Sequence, residues 1–113
     1  MGLFNKKGSI ASDDKLKVTL TQEGDAYTFL IEGRIDTSSA PMFEERINEV
    51  IAKAKKLVLD LGKLYYISSA GLRVLLATAK EMNGQGELVI TNVAPDVLEI
   101  FELTRLVDVL NIQ

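Results

Sequence analysis

Residues 57–76 read LVLDLGKLYYISSAGLRVLL. Three apolar residues, Leu57, Val58 and Leu59, are closed by Asp60, and a loop through residues 62–67 follows. Ser68 and Ser69 then open a second apolar segment. A buried strand over 57–61, a turn, and a helix that begins on hydroxyls is the simplest physical reading. The strand is apolar at nearly every position, as expected for one central in a sheet. The helix is expected to run to about Met82, burying Leu72, Leu75, Leu76, Ala79 and Met82, with Val74 and Ala77 widening that face. Asn83-Gly84-Gln85-Gly86 stops it.

Upstream, Leu16 to Thr21 alternates apolar and polar residues, and Tyr27 to Glu32 does so less cleanly. Gln22-Glu23-Gly24-Asp25 between them signals a hairpin. Gly33 suggests a bend. Arg34 to Pro41 is a hydroxyl-rich connection, with serines placed to cap a helix that Pro41 opens. Phe43, Ile47, Val50, Ile51 and Ala54 fall on one face of that helix, Glu44 and Glu45 suit its positive end, and Lys53, Lys55 and Lys56 close it.

Downstream, Glu87 to Thr91 is a short strand. Pro95 opens a helix with Asp96 and Glu99 in its first turn and Val97, Leu98 and Phe101 inward. Val107 to Ile112 suggests a last strand. The element order is β-β-α-β-α-β-α-β. It predicts an α/β fold, with a four- to five-stranded mixed, largely parallel sheet and three helices packed on it.

Residues 1–14 lack periodicity and read as a flexible N-terminal extension, ahead of one domain over 15–113. Met1-Gly2 does not fit myristoylation, because Lys6 stands where Ser or Thr is required. Leu3, Phe4, Lys6 and Lys7 offer a weak membrane or partner contact as the second reading of a frayed terminus.

Composition narrows the function. The chain is 47% hydrophobic and 26% charged, ordinary for a globular protein. A net charge of −3 with scattered cations argues against direct nucleic-acid binding. The lack of Cys excludes disulfides and agrees with a cytoplasmic protein. The lack of His excludes Ser-His-Asp catalysis and His-ligated metals, and the acids show no calcium-loop spacing. No apolar run is long enough to span a bilayer. Neither a cofactor nor a metal is expected, and the chain is not expected to be an enzyme.

The paired serines are the remaining candidate. A helix cap explains one of them. It explains neither the second nor Gly71 inside the first turn, where glycine costs about 0.5–1 kcal/mol. No Glu or Gln completes a capping box, so first-turn N–H groups are expected to be free for an anion. A phosphate on Ser69 would sit at the positive helix end, with Arg73 one turn on. A nucleophilic serine is disfavoured, since no Ser-x-x-Lys occurs at either position. Asp60 reads as a strand end, either on a site rim or solvated. Asp36, Thr37, Ser38 and Ser39 either face the same rim or cap their helix. Of Tyr65 and Tyr66, one is expected to pack and the other to contact a partner.

These residues carry a resemblance. Gly33-Arg34-Ile35-Asp36, Leu57-Val58-Leu59-Asp60-Leu61 and Ile67-Ser68-Ser69-Ala70-Gly71-Leu72, in this order of elements, resemble the STAS family over residues 15–112. Within it the chain looks like the short single-domain (SpoIIAA-like) anti-sigma factor antagonists. Their phosphorylation turn resembles Asp-Ser-(Ser/Thr)-Gly-Leu, which aligns the phosphorylatable serine with Ser69 and puts Ser68 where the pattern has Asp. The resemblance implies a partner switch in transcription regulation. The unphosphorylated form binds an anti-sigma factor that is itself a serine kinase, and so frees a sigma factor. Phosphorylation of Ser69 ends binding, and a metal-dependent (PPM-type) serine phosphatase restores it. The implied partner surface is Asp36, Thr37, Tyr66, Ser68, Ser69, Gly71 and Arg73. The alternative is a non-switching interaction subunit of a larger complex, such as a membrane transport system. Family members often continue into a further helix beyond the position of Gln113. An edge or face is therefore expected to be covered by the N-terminal extension or by a second copy in a homodimer.

Overall fold

The computed structural model describes residues 6–113. Leu3 and Phe4, named above as a possible contact, lie outside that range. Strands β1 (Lys6–Ser12), β2 (Leu16–Glu23), β3 (Ala26–Ile35), β4 (Lys56–Ile67) and β5 (Glu87–Thr91) form one sheet in the order β1-β2-β3-β4-β5. The pairings β1–β2 and β2–β3 are antiparallel, and β3–β4 and β4–β5 are parallel. Helices α1 (Ala40–Asn48), α2 (Ser69–Asn83) and α3 (Pro95–Leu103) complete the expected mixed α/β architecture.

The alternating residues of β2 and β3 send Leu16, Val18, Tyr27, Phe29 and Ile31 into one core with Leu57, Leu59, Leu88 and Ile90. Phe43 and Ile47 of α1, Val74, Leu75 and Met82 of α2, and Val97 and Phe101 of α3 join the same cluster. Fourteen Leu, Ile, Met and Phe side chains there are less than 2% exposed. At about 1.5–3 kcal/mol each, their burial is the main driving force for this arrangement.

Several expectations are corrected. Residues 6–12 are not loose but form β1, paired along its whole length with β2. Backbone pairing needs no hydrophobic pattern, so KKGSIAS gave no signal of a strand. The apolar spacing of α1 continues to Ala54, yet the helix ends at Asn48. Val50 turns to φ −123°, and Ile51–Lys53 form a single tight turn. The buried face of α2 is Gly71, Val74, Leu75, Thr78 and Met82, leaving Leu76 and Ala77 exposed. Thr78 is accommodated because its hydroxyl donates to the Val74 carbonyl at 2.7 Å. The last strand is reduced to a bridge between Ile112 and Ile90. Leu106 and Leu110 are both buried at helical spacing, and Arg105, at φ 65°, starts a tight turn instead.

The largest difference concerns residues 62–67, expected as a loop. They continue β4, which runs twelve residues to Ile67. The register explains why the pattern hid it. Leu30 pairs Asp60 and Ile35 pairs Ile67, so five steps of β3 face seven of β4. Two bulges absorb the extra residues, between Leu30 and Glu32 and between Gly33 and Arg34. Through them the buried positions fall at Leu61, Leu64 and Ile67, three apart instead of two.

Gly33 sits at the second irregularity with φ 111°, and a Cβ there would lie 2.2 Å from the Lys15 carbonyl oxygen. Gly33→Ala is therefore expected to cost about 3 kcal/mol, from backbone strain and the steric clash together. Urea unfolding of the variant measures this, and a loss under half a kilocalorie would contradict the close approach.

Candidate functional site

The carboxyl ends of β3 and β4 finish side by side, and two turns leave from them. Ser68 donates its N–H to the Ile35 carbonyl at 2.8 Å, extending the ladder by one bond. Its hydroxyl accepts from the Gly71 N–H at 3.3 Å, so Ser68 is the N-cap of α2. Ser69 is the first helical residue and is exposed. The Leu72 N–H is taken by the Ser68 carbonyl. Those of Ser69 and Ala70 have no acceptor among the described residues. The positive end of a 15-residue helix is thus presented beside the Ser69 hydroxyl.

Gly71 has a different role from the one its position suggested. It is buried, and a Cβ would meet Ile35 Cγ2 and Ile67 Cγ1, each at 2.7 Å. The glycine lets the first turn of α2 press on the ends of β3 and β4, and it faces away from any ligand at Ser69.

The second turn is organised by Asp36. Its Oδ1 accepts from the Ser38 N–H (2.9 Å), the Ser38 hydroxyl (2.8 Å) and the Ser39 N–H (3.0 Å). Its Oδ2 lies 3.4 Å from Lys15 Nζ and 3.3 Å from Arg34 Nε. The Ser38 hydroxyl bond is the leading cause that holds this carboxylate well below the usual range. Bonds from Ser39, Lys15 and the Ser38 N–H add to it, against the opposing effect of burial. Ser39 is fully buried. Its hydroxyl donates to the Arg34 carbonyl and accepts from the Asp36 N–H, both at 2.9 Å. The expected capping of α1 by a serine side chain is thus replaced by a bond back into the loop.

Thr37 and Arg73 both line a groove of about 410 Å³ between α1 and α2, together with Pro41, Glu44 and Ala70. Both Tyr65 and Tyr66 are exposed, so neither is the expected packing residue. Arg34 stands over the Tyr66 ring at 5.3 Å, a cation–π contact that fixes both side chains on the rim. Asp60 does not end a strand. It lies within β4, where it accepts from the Gly62 N–H and the Asn92 side chain, at 3.0 and 3.1 Å. Ser69, Ser68, Tyr66, Asp36, Thr37 and Arg73 thus share one end of the sheet, and Asp60 does not. Lys15 was missed by sequence reasoning. It reaches Ser38 Oγ at 2.6 Å, and its only sequence signal is a position just before β2, opposite Arg34. Among the described residues no cluster of three metal-ligating side chains occurs, and no helix is long and apolar enough to cross a membrane.

The model of the STAS domain matches residues 17–113. The chain belongs to the STAS domain family. BtrV of Bordetella bronchiseptica, provisionally assigned as an anti-sigma factor antagonist, is 37% identical over 91 residues, 79% of this chain and 78% of its own. The anti-sigma-B factor antagonist of Bacillus subtilis is 29% identical over 98 residues, 86% of this chain and 90% of its own. Among solved structures, an anti-sigma factor antagonist from Mycobacterium paratuberculosis superposes with a TM-score of 0.80 at 23% identity, covering 90% of this chain and 88% of its own. SpoIIAA in its unphosphorylated form gives 0.70 at 14%, covering 95% and 88%. At these identities the superpositions establish a STAS fold.

Two outcomes test the geometry of this STAS rim. Gly71→Ala is expected to destabilise the chain by about 1–3 kcal/mol in urea unfolding, because Ile35 and Ile67 must move. For Asp36 the folded pKa lies below its ordinary 3.8. The stability it contributes is complete above about pH 4 and is lost as pH falls toward the folded value. The stability difference between wild type and Asp36→Asn is expected to shrink below that pH; a constant difference would refute the assignment.

Proposed function

We propose that this STAS domain is an anti-sigma factor antagonist that works as a partner switch through phosphorylation of Ser69. The observation that carries the reading is the placement of Ser69. It is an exposed hydroxyl on the first residue of α2, with unbonded N–H groups beside it and a fixed polar rim around it. Relatives named anti-sigma factor antagonists support the same class.

In the unmodified state the rim of Asp36, Thr37, Tyr66, Ser68 and Arg73 is a neutral to mildly charged surface that docks an anti-sigma factor. That partner is a serine kinase using ATP, and its sequestration releases a sigma factor. Transfer of the γ-phosphoryl group to Ser69 Oγ leaves ADP and a phosphoserine of about −1.5 to −2 charge at pH 7. The helix end accommodates this charge within the fold. The docked partner must then desolvate it, and binding ends. Hydrolysis by a PPM-type phosphatase restores the hydroxyl. The domain is the substrate of both reactions and the catalyst of neither, and it acts in the cytoplasm, where such partners and ATP reside.

Incubation with a cognate anti-sigma kinase and ATP is expected to add one phosphate to the wild type and none to Ser69→Ala. Ser69→Asp is expected to stay folded by circular dichroism while losing kinase binding at least tenfold. Stoichiometric labelling of Ser69→Ala would overturn the assignment. Unchanged binding by both variants would favour a non-switching interaction subunit instead.

A further inference from the structure

The outer edge of β1 has no strand beside it among the described residues. An open edge is a template for another strand, and soluble proteins usually blunt it with a proline, a bulge or a charge at mid-strand. Here β1 has none of these. It pairs with β2 through seven consecutive residues without a register shift, and Ile10, one residue past its centre, is 65% exposed. Charges are gathered at its two ends: Lys6 and Lys7 open the strand, and Asp13 and Asp14 follow it in the turn to β2, where Asp13 Oδ1 accepts the Lys15 and Leu16 N–H.

The direction of the free backbone groups follows from the ladder. Asp13 donates its N–H to the Leu16 carbonyl, and antiparallel pairs alternate between bonded and non-bonded. Ala11, Ser9 and Lys7 therefore turn their backbone groups to β2. Those of Gly8, Ile10 and Ser12 point outward.

We propose that β1 pairs with β1 of a second copy of this chain, antiparallel, about a two-fold axis at Ile10. This one register sets Ile10 against Ile10 and Gly8 against Ser12, and brings the Lys6–Lys7 end of each strand up to the Asp13–Asp14 turn of the second copy. All outward backbone groups of Gly8, Ile10 and Ser12 find partners in it. Both charge clusters meet their opposites, twice each by symmetry. A parallel pairing in the same alignment would set Lys against Lys and Asp against Asp. The segment KKGSIASDD is thus complementary to itself in one orientation only. The resulting interface is a short strand edge, at the low end of interface sizes, so the dimer is concentration-dependent. It uses the strand farthest from β5, separated by β2 from the strands that carry the switch turn, and it does not depend on the phosphorylation reading.

Sedimentation of the full chain over a concentration series is expected to show a monomer–dimer equilibrium that weakens with salt. Ile10→Pro removes an outward N–H that β2 does not use, and an edge strand tolerates it. It is expected to give a folded monomer. Lys6→Glu and Asp14→Lys, each alone, put a like charge where these ends meet, at both symmetry-related places, and are expected to weaken dimerisation about tenfold. Mixed together, the two variants regain opposite charges at both places and are expected to form the heterodimer in preference to either homodimer. A monomer at every concentration would overturn the proposal. So would a dimer indifferent to Ile10→Pro, or a mixture showing no heterodimer preference.

Discussion

The hydrogen bond from the Ser68 N–H to the Ile35 carbonyl, 2.8 Å long, joins β3 and β4 where both end. Two parallel strands can share an end only if the same distance is covered by each. From their pairing at Leu30 and Asp60, β4 uses seven steps and β3 five. At about 3.3 Å per residue a regular β4 would overshoot by roughly 6–7 Å. The two bulges remove that excess. They deliver Ser68 to the Asp36 turn, and with it the helix end that carries Ser69. The irregular part of β4 is therefore what aligns the site, and its cost in ladder regularity is accepted for position.

The same junction is closed from above and from the side. Above, Gly71 lets α2 settle on Ile35 and Ile67, the two residues that end the paired strands. From the side, the Asp36 carboxylate gathers the turn after β3 and reaches Lys15 at the start of β2. Gly33 permits that approach, since its lack of a side chain leaves room for the Lys15 carbonyl. Two neighbouring strands, β2 and β3, thus converge on one carboxylate. Exposed ion pairs of this kind contribute little to stability singly. Their combined effect is to hold a polar rim in one conformation, which a docking surface needs more than it needs strength.

Much of this was legible in advance. The alternation of β2 and β3, the apolar run of Leu57 to Leu61 and the helical spacing of α3 each encode burial on one face, and burial is what sequence patterns report. Ser69 and its neighbours were singled out because a second hydroxyl and a glycine in the first turn are more than a helix cap requires. What escaped detection carried no such signature. β1 is held by backbone bonds to β2. Residues 62–67 continue a strand whose period becomes three under the bulges, where a period of two was sought. Gly71 was left unexplained by a cap and counted with the partner surface. Its Cβ position is in fact occupied from the core side, and only a three-dimensional neighbour could reveal this. Lys15 lies 21 residues from Asp36 in sequence, and the two meet only through the register of β2 on β3.

The substitution of Ser68 for the acid of the family pattern now has a physical sense. The position is an N-cap, and serine and aspartate cap about equally well, so the fold does not distinguish them. They differ in charge. An aspartate would place a fixed negative charge against the positive end of α2 and satisfy much of that field before any phosphate arrived. A serine caps with a neutral oxygen and leaves the field for the next anion. It also removes a like charge next to Ser69, which would otherwise repel a phosphoserine. On these grounds, under the phosphorylation proposed for Ser69, the neutral cap would favour the phosphorylated state relative to an acid-bearing relative. The exchange would thus shift the balance of the proposed switch while the cap geometry of α2 stays as it is.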